Sequence, residues 1–552
     1  MSLHPLALES VPGPTAQVAH AAFPKGNLYL TIRDELGTVY RDEHFATLFP
    51  VRGQPGLPPW RLAVVTVLQF VENLSDRQAA EAVRARIDWK YLLGLDLTDP
   101  GFDYSVLSEF RARLLEGEAE RVLLDILLTK LQELGLFKAR GRQRTDSTHV
   151  LAAVRKLNRL ERVGETLRAA LNSLAVVAPE WLQAQAPEAW YERYGRRVEN
   201  YQFPKTETAR QDLAKVIGAD GQHLLKALDA ASDHPWLREV PAVQMLRRVW
   251  EEQYIEQAGS LRWRTPEEMP PPAELISSPY DPGARYSTKQ SMEWVGYKVH
   301  LTETCDPETP HLIVNVETTP ASTPDDPMVA VVHASLAKRN RLPTEHLVDK
   351  GYTDAQMLID SQRDYQVRIT GPVAEDPSWQ ARAGTGFDKS HFHVDWDRRV
   401  VTCPAGHQSI SWLKNSYPKN GVVWEARFAR QDCTPCPFRV QCTHAKVEPR
   451  IIGLQTREQH EVLQAARHRQ TTEEFRAEYA ARAGIESTHE QAIRRCGLRQ
   501  SRYIGLAKTH LQQVITATAL NLIRFGEWWA GTPLALTRIS RFAQLNPFVQ
   551  AA

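Results

Sequence analysis

The sequence predicts an α/β protein built on a mixed sheet, and three observations carry that prediction. From Trp60 to Leu136 apolar residues recur at helical spacing, with Gly and Pro only between the runs. From about residue 276 the texture changes to short strand-like segments, VGYKVHLTETCD, HLIVNVETTPAS, EHLVD and YQVRITGPV, around one helical stretch, DDPMVAVVHASLAKRN. Beyond Pro372 the chain turns Gly-rich, aromatic and cysteine-bearing until about Arg450, and long helices are expected after it, over 456–482 and 486–525.

In chain order this gives an all-helical N-terminal unit (1–140) and a first strand of the core within GRQRTDSTHVLAAV (141–150). A helical insert closed by the Pro-rich RTPEEMPPPAELISSPYDPG follows (151–275), since that linker cannot continue a helix. The sheet core (276–375), a β-rich insertion (376–450) and C-terminal helices that complete the core (451–552) make up the rest. At 552 residues the chain exceeds what one hydrophobic core usually organises, so several units are expected. Arg84, Arg86, Arg111 and Arg113 on the short N-terminal helices suit a helix-turn-helix-like DNA contact, with a solvated helix surface as the competing account.

Hydrophobic residues at 42% and charged residues at 24% exclude a disordered or fibrous chain. The formal net charge of +1 conceals a local asymmetry: Ala481 to His510 holds six Lys/Arg against two Glu. The first residues lack a basic segment followed by an apolar one, and no apolar run is long enough to span a bilayer, so a cytoplasmic protein is expected.

Three acidic residues stand out: Asp146 in RTDSTH, Asp349 in LVDKGY and Glu486 in YAARAGIESTHEQ. Singly, each has an ordinary account: a helix cap, a turn former, and a surface residue paired with Arg482. Asp349, however, ends an apolar segment that reads as a buried strand, and a carboxylate there is costly unless a cation meets it. Two aspartates on adjacent strands and a glutamate on a packed helix could converge on hard divalent cations such as Mg²⁺ or Mn²⁺, which favour carboxylate oxygen. Such ions activate a water or a 3′-hydroxyl and stabilise the leaving oxygen of a phosphodiester.

The glutamate's surroundings favour nucleic acid. Tyr479, Arg482 and Glu486 are spaced three and four apart and so share one helical face. Arg494, Arg495, Arg499, Arg502, Tyr503 and Lys508 follow, as a phosphate-contacting surface beside a metal site would require.

These motifs, with FATLFPVRGQPGLPPWRLAVV, FDYSVLSEFRARL, TTPASTPDD, HLVDKGYTD and YAARAGIESTHEQAIRRCGLRQSRYIG, give a sequence that resembles bacterial insertion-sequence transposases of the DDE class over nearly its whole length. The group it resembles most is insertion sequence eleven-eighty-two. The resemblance implies a ribonuclease-H-like mixed-sheet catalytic core, with Asp146, Asp349 and Glu486 as its metal-binding triad. It also implies the accompanying pattern Tyr-x2-Arg-x3-Glu-x6-Lys, which Tyr479, Arg482 and Glu486 match. At the lysine position stands Ile493, with Arg494 next. A one-residue offset turns a side chain by about 100° around a helix, and arginine differs from lysine in donor geometry.

Four of the six cysteines, Cys403, Cys433, Cys436 and Cys442, fall within forty residues. The Cys-x2-Cys pair suits tetrahedral Zn²⁺, because a tight turn can aim both sulfurs at one ion and a reducing cytoplasm disfavours a disulfide. His407 and His444 could replace one thiol; the competing account is a set of buried free cysteines. Cys305 and Cys496 stand alone and are expected in the core.

The expected activity is metal-dependent cleavage of DNA at the ends of an insertion sequence, followed by attack of the freed 3′-hydroxyl on target DNA. Hydrolysis and strand transfer differ only in which hydroxyl attacks. A ribonuclease-H-like nuclease without strand transfer and a non-catalytic DNA-binding zinc protein are the alternatives, and a complete acidic triad argues against the second. The resemblance implies double-stranded DNA as partner, both terminal inverted repeats and target, with a homodimer bringing two ends together. It also implies a bacterial protein associated with the nucleoid.

Overall fold

The computed structural model describes residues 2, 3, 10–257, 259–289, 291–417, 421–533 and 545. The end of the unit expected over 451–552 therefore lies largely outside the described residues. In the N-terminal third, PWRLAVVTVLQFV forms α1 (Pro59–Val71), started by proline at its first turn and apolar nearly all round, as a helix buried on every side must be. Short helices over Asp76–Ala85, Ile87–Leu93 and Ser105–Glu116 surround it, followed by α2 (Val122–Glu133).

The central sheet comprises β1 (Arg142–Leu151), β2 (Arg285–Lys289), β3 (Met292–Thr304), β4 (Ile313–Pro320), β5 (Glu345–Val348) and β6 (Arg368–Thr370). Its order is β2-β3-β1-β5-β6, with β4 also on the outer edge of β3. β3 runs antiparallel to β1, β2 and β4, whereas β1, β5 and β6 are parallel. α3 (Met328–Ala337) and α4 (Ala355–Tyr365) make the two crossovers that parallel strands require. β5 is buried along its whole length, which explains the unbroken apolar reading of its centre.

The two long C-terminal helices expected from the sequence are four: α5 (Arg457–Arg469), α6 (Glu473–Ala480), α7 (Gly484–Cys496) and α8 (Leu506–Trp529). Two local signals cause the breaks. Thr472 caps α6 by accepting from the Phe475 N–H, and Gly497 ends α7 in the left-handed region at φ 68°. On α8, Asn521 accepts from the Ile313 N–H and donates to the Ile313 carbonyl, both at 2.8 Å, and so satisfies the open edge of β4.

The N-terminal helices, the sheet and α8 share one hydrophobic core, in which Phe70, Phe110, Leu127, Leu301, Val314 and Leu520 are all buried. Three of the four arginines that suit a DNA contact from the N-terminal helices make contacts within the protein. Arg111 is buried against Asp76 at 2.6 Å, Arg86 is clamped by Glu72 and Asp88, and Arg113 donates to the Leu48 carbonyl and lies over Phe49. Arg84 is exposed and pairs with Glu81.

The helical insert, led by helices over Arg159–Val177, Glu207–Ala230 and Pro241–Gln253, has its own core around Trp190, Leu224 and Trp250. The β-rich insertion pairs β7 (His393–Asp395) with β8 (Val400–Thr402), and sets β10 (Gly421–Arg427) between β9 (Ser411–Tyr417) and β11 (Ile451–Leu454), antiparallel to both. It packs on a small core of its own around Phe392 and Phe428. No described helix is long and apolar enough to cross a membrane.

Candidate functional site

The parallel register sets the first two carboxylates side by side. Thr145 of β1 pairs with Val348 of β5, so Asp146 and Asp349 follow at one level on adjacent strands, where β5 gives way to a turn. Glu486 lies in the first turn of α7. Between the three stands Arg482, on the 3₁₀ turn Ala481–Ala483 that joins α6 to α7. Its Nη2 is 2.7 Å from Asp146 Oδ2 and 3.8 Å from Asp349 Oδ2, and its Nη1 is 3.2 Å from Glu486 Oε1. The charge at the end of β5 is thus met by a guanidinium.

Exposure differs across the cluster: the side chain of Asp146 is 15% exposed, that of Asp349 51% and that of Glu486 70%. Burial raises the Asp146 carboxyl above its ordinary range, against the pull of Arg482 and the Ser147 N–H. Tyr479, which matches the expected pattern, feels the same carboxylates and is pushed up to about 12, chiefly by burial. The cluster opens to solvent on the side of Asp349 and Glu486, as a site for a large substrate must.

A buried ionic knot positions α7. Glu303 of β3, fully buried, is 2.7 Å from Arg144 and 2.8 Å from Arg524, and accepts a hydrogen bond of 2.6 Å from the Thr488 hydroxyl, two residues past Glu486. Arg144 also donates to the Ala481 carbonyl beside Arg482. Burial alone would raise the Glu303 carboxyl; Arg524 and Arg144 outweigh it and hold it below the ordinary range. At the far end of α7 the chain returns to β1: the Leu151 N–H donates to the Arg499 carbonyl, and the Ser501 N–H to the Leu151 carbonyl, each at 2.8 Å.

Sequence reasoning missed these supporting residues. Arg144 and Glu303 were visible only as charges inside strands, a signal for a buried pair that names no partner. Asp325 was missed as well: it accepts from Ser147, pairs with Lys298 at 3.0 Å and lies against the Gly351 turn. Lys289, at the tip of the β2–β3 hairpin, is exposed and acts on Asp146, His149 and His489, whose imidazoles burial holds at about 4. The Trp294 ring of the same hairpin lies 5.6 Å from that of His149 on β1.

The basic residues after Glu486 divide. Ile493 packs against the main core, and Arg494 pairs with Glu490 on an exposed face. Arg499 donates to the Thr148 hydroxyl at 3.0 Å. Arg502, expected on the DNA side, donates to the Leu74 carbonyl at 2.8 Å and lies over the Phe70 ring, docking the C-terminal segment on the N-terminal helices. Arg495 and Lys508 are exposed.

Cys403, Cys433, Cys436 and Cys442 line one small cavity with His407 and Phe428. His444 instead stacks on Trp379 at 3.7 Å. Cys305 and Cys496 are core residues, and burial pushes both thiols up to about 12. Among the described residues, no group of three or more His, Cys, Asp or Glu side chains is already drawn together around a metal position. The donor types nevertheless fit: the carboxylates that face Arg482 suit a hard cation, and four thiols suit zinc.

Comparison with known proteins adds two matches. Residues 402–525 match the family model described as a transposase DDE domain, which takes in the cysteine segment, Arg482 and Glu486 but begins beyond Asp146 and Asp349. Residues 17–113, the N-terminal helices, match a second model, a transposase domain of the DUF772 type. No curated protein and no solved structure matches the chain. Both family models are of transposase domains, and together they support a transposase of the DDE type.

Proposed function

We propose that the protein cuts DNA at the ends of an insertion sequence and joins the freed 3′ ends to target DNA, with Asp146, Asp349 and Glu486 holding divalent cations. The observation that carries this reading is the convergence of the three carboxylates, from two adjacent parallel strands and a helix, around one cationic group. The sheet order, three antiparallel strands β4-β3-β1 continued by the parallel β5 and β6, supports a ribonuclease-H-like core. Bound Mg²⁺ or Mn²⁺ would supply Lewis-acid activation of the attacking hydroxyl.

The chain's own residues set the geometry of that site. Asp146 and Asp349 are fixed by strand register, and Glu486 by the clamp of Glu303 on Thr488. Lys289, Arg495 and Lys508 offer exposed positive charge for the phosphate backbone of double-stranded DNA. Lys289 takes the part of the lysine that Ile493 replaces, since its charge acts on Asp146. Two element ends must meet in one complex, so a homodimer on DNA is the working assembly. The four cysteines around one cavity support a structural Zn²⁺ in the β-rich insertion.

The test is incubation of the purified chain in Mg²⁺ with end-labelled DNA carrying the inverted repeats that flank its coding region. Cleavage at the repeat ends and joined products are expected. Cleavage without joining would leave a nuclease, and intact DNA would overturn the proposal.

A further inference from the structure

Arg482 does more than border the three carboxylates. A single nitrogen, Nη2, faces both aspartates, and Nη1 faces the glutamate, so the guanidinium stands in the space the three acids enclose. It is held there with only 12% of its side chain exposed, and its Nε is buried without a hydrogen-bond partner. Guanidinium cannot shed its charge by deprotonation, so it leaves this space only by moving. A divalent ion bonded to both aspartates needs oxygens at about 2.1 Å and the volume between them. Nη2, 2.7 Å from Asp146, occupies that volume.

We propose that Arg482 and the divalent cations are alternative occupants of one position, and that DNA phosphate decides between them. Without DNA the guanidinium neutralises part of the charge of three acids that would otherwise repel one another. When a phosphodiester lies across the open side of the cluster, it offers Arg482 a second anion with bidentate geometry. The guanidinium turns to the phosphate, and the vacated carboxylates take the metal. Phosphate and metal therefore support each other's binding, and by linkage the coupling is reciprocal. Arg482 is in this account a positioning residue that ties metal loading to substrate. The inference rests on the reading of Asp146, Asp349 and Glu486 as the metal site.

The experiment measures Mn²⁺ affinity of the full chain by calorimetry and by the spin resonance of free Mn²⁺, with and without duplex DNA, the uptake of DNA alone being subtracted. Wild type should bind Mn²⁺ weakly alone and roughly tenfold or more tightly with DNA, within the usual range of coupling between two sites. Arg482→Gln should bind Mn²⁺ without DNA more tightly than wild type does and gain little from DNA; thermal melting of the variant verifies that it is folded. Equal wild-type affinities with and without DNA would overturn the proposal even if the variant did not fold. So would a folded Arg482→Gln that binds Mn²⁺ no better than wild type without DNA. Asp146→Asn separates the two levels: unchanged Mn²⁺ affinity there would reject the metal site itself, whereas a lost affinity beside an uncoupled wild type would reject only the role of Arg482.

Discussion

The guanidinium of Arg144 fills the space that a side chain on Gly484 would need: a Cβ there would stand 2.1 Å from Nη1. Arg144 is not free to yield, because Glu303, His311 and the Ala481 carbonyl all hold it. Gly484 opens α7 two residues before Glu486. Gly484→Ala should therefore tilt the start of the helix, costing about 1–3 kcal/mol in urea unfolding. DNA cleavage should fall roughly a hundredfold, since a misplacement of about 1 Å has that effect. Wild-type cleavage would show that α7 adapts without moving its glutamate.

Acid should loosen the packing of α3 and α7 in a defined window. Burial holds His333 and His489 at about 4, so each stays neutral in the fold but titrates near 6.5 once unfolded. Their contribution is complete above the unfolded value and is lost as pH falls from 6.5 towards 4. Glu303, held below the ordinary carboxylate range, adds a loss at still lower pH, as the solution passes through its depressed value. Urea midpoints should be flat above pH 7 and decline below 6.5, less steeply in His333→Gln. A midpoint independent of pH down to 4 would contradict the neutral buried histidines.

Zinc is expected at about one equivalent per chain by metal analysis of protein never exposed to chelator. Cys433→Ser and Cys436→Ser should lose it together with stability of the β-rich insertion. Zinc-free protein of normal stability would return the four thiols to the role of buried cysteines.

Exposed and engaged cations should behave differently on DNA. Arg495→Ala and Lys508→Ala should weaken binding across sequences and shallow its salt dependence by about one unit each. Arg502→Ala should instead destabilise the fold, because its guanidinium ties the C-terminal segment to Leu74 and Phe70. A salt slope that changes only in the Arg502 variant would reverse this assignment.

Much of the fold was legible because periodicity is local. The strands at Asp146 and Asp349, the hairpin of VGYKVHLTETCD with HLIVNVETTPAS, and the N-terminal helices all appear where alternation and helical spacing put them. Asp349 was legible as a candidate because a carboxylate at the end of a buried strand is costly, whereas Asp146 and Glu486 each have an ordinary account alone and became candidates only together with it. What sequence could not supply was partnership at long range. Glu303 and Arg144 are remote from Arg524 in the chain, and only packing reveals that they set the height of α7. For the same reason Arg111 and Arg502 read as surface charges, although Arg111 is buried against Asp76 and lies over the Tyr503 ring, and Arg502 donates to the Leu74 carbonyl. The breaks at Thr472 and Gly497 were not read from the sequence, although each rests on a local signal, a threonine N-cap and a left-handed glycine.

The central claim, that Glu486 completes a metal site with Asp146 and Asp349, is tested most directly by DNA cleavage in Mg²⁺ with Glu486→Gln. The substitution keeps size and helix propensity and removes only the anionic ligand. Its pair with Arg482 is 70% exposed on the glutamate side, so stability should change by no more than a few tenths of a kcal/mol, and DNA binding should persist. Cleavage of a labelled repeat end should fall by orders of magnitude, as it should in Asp146→Asn and Asp349→Asn. Near-wild-type cleavage by the folded Glu486→Gln protein would contradict the account.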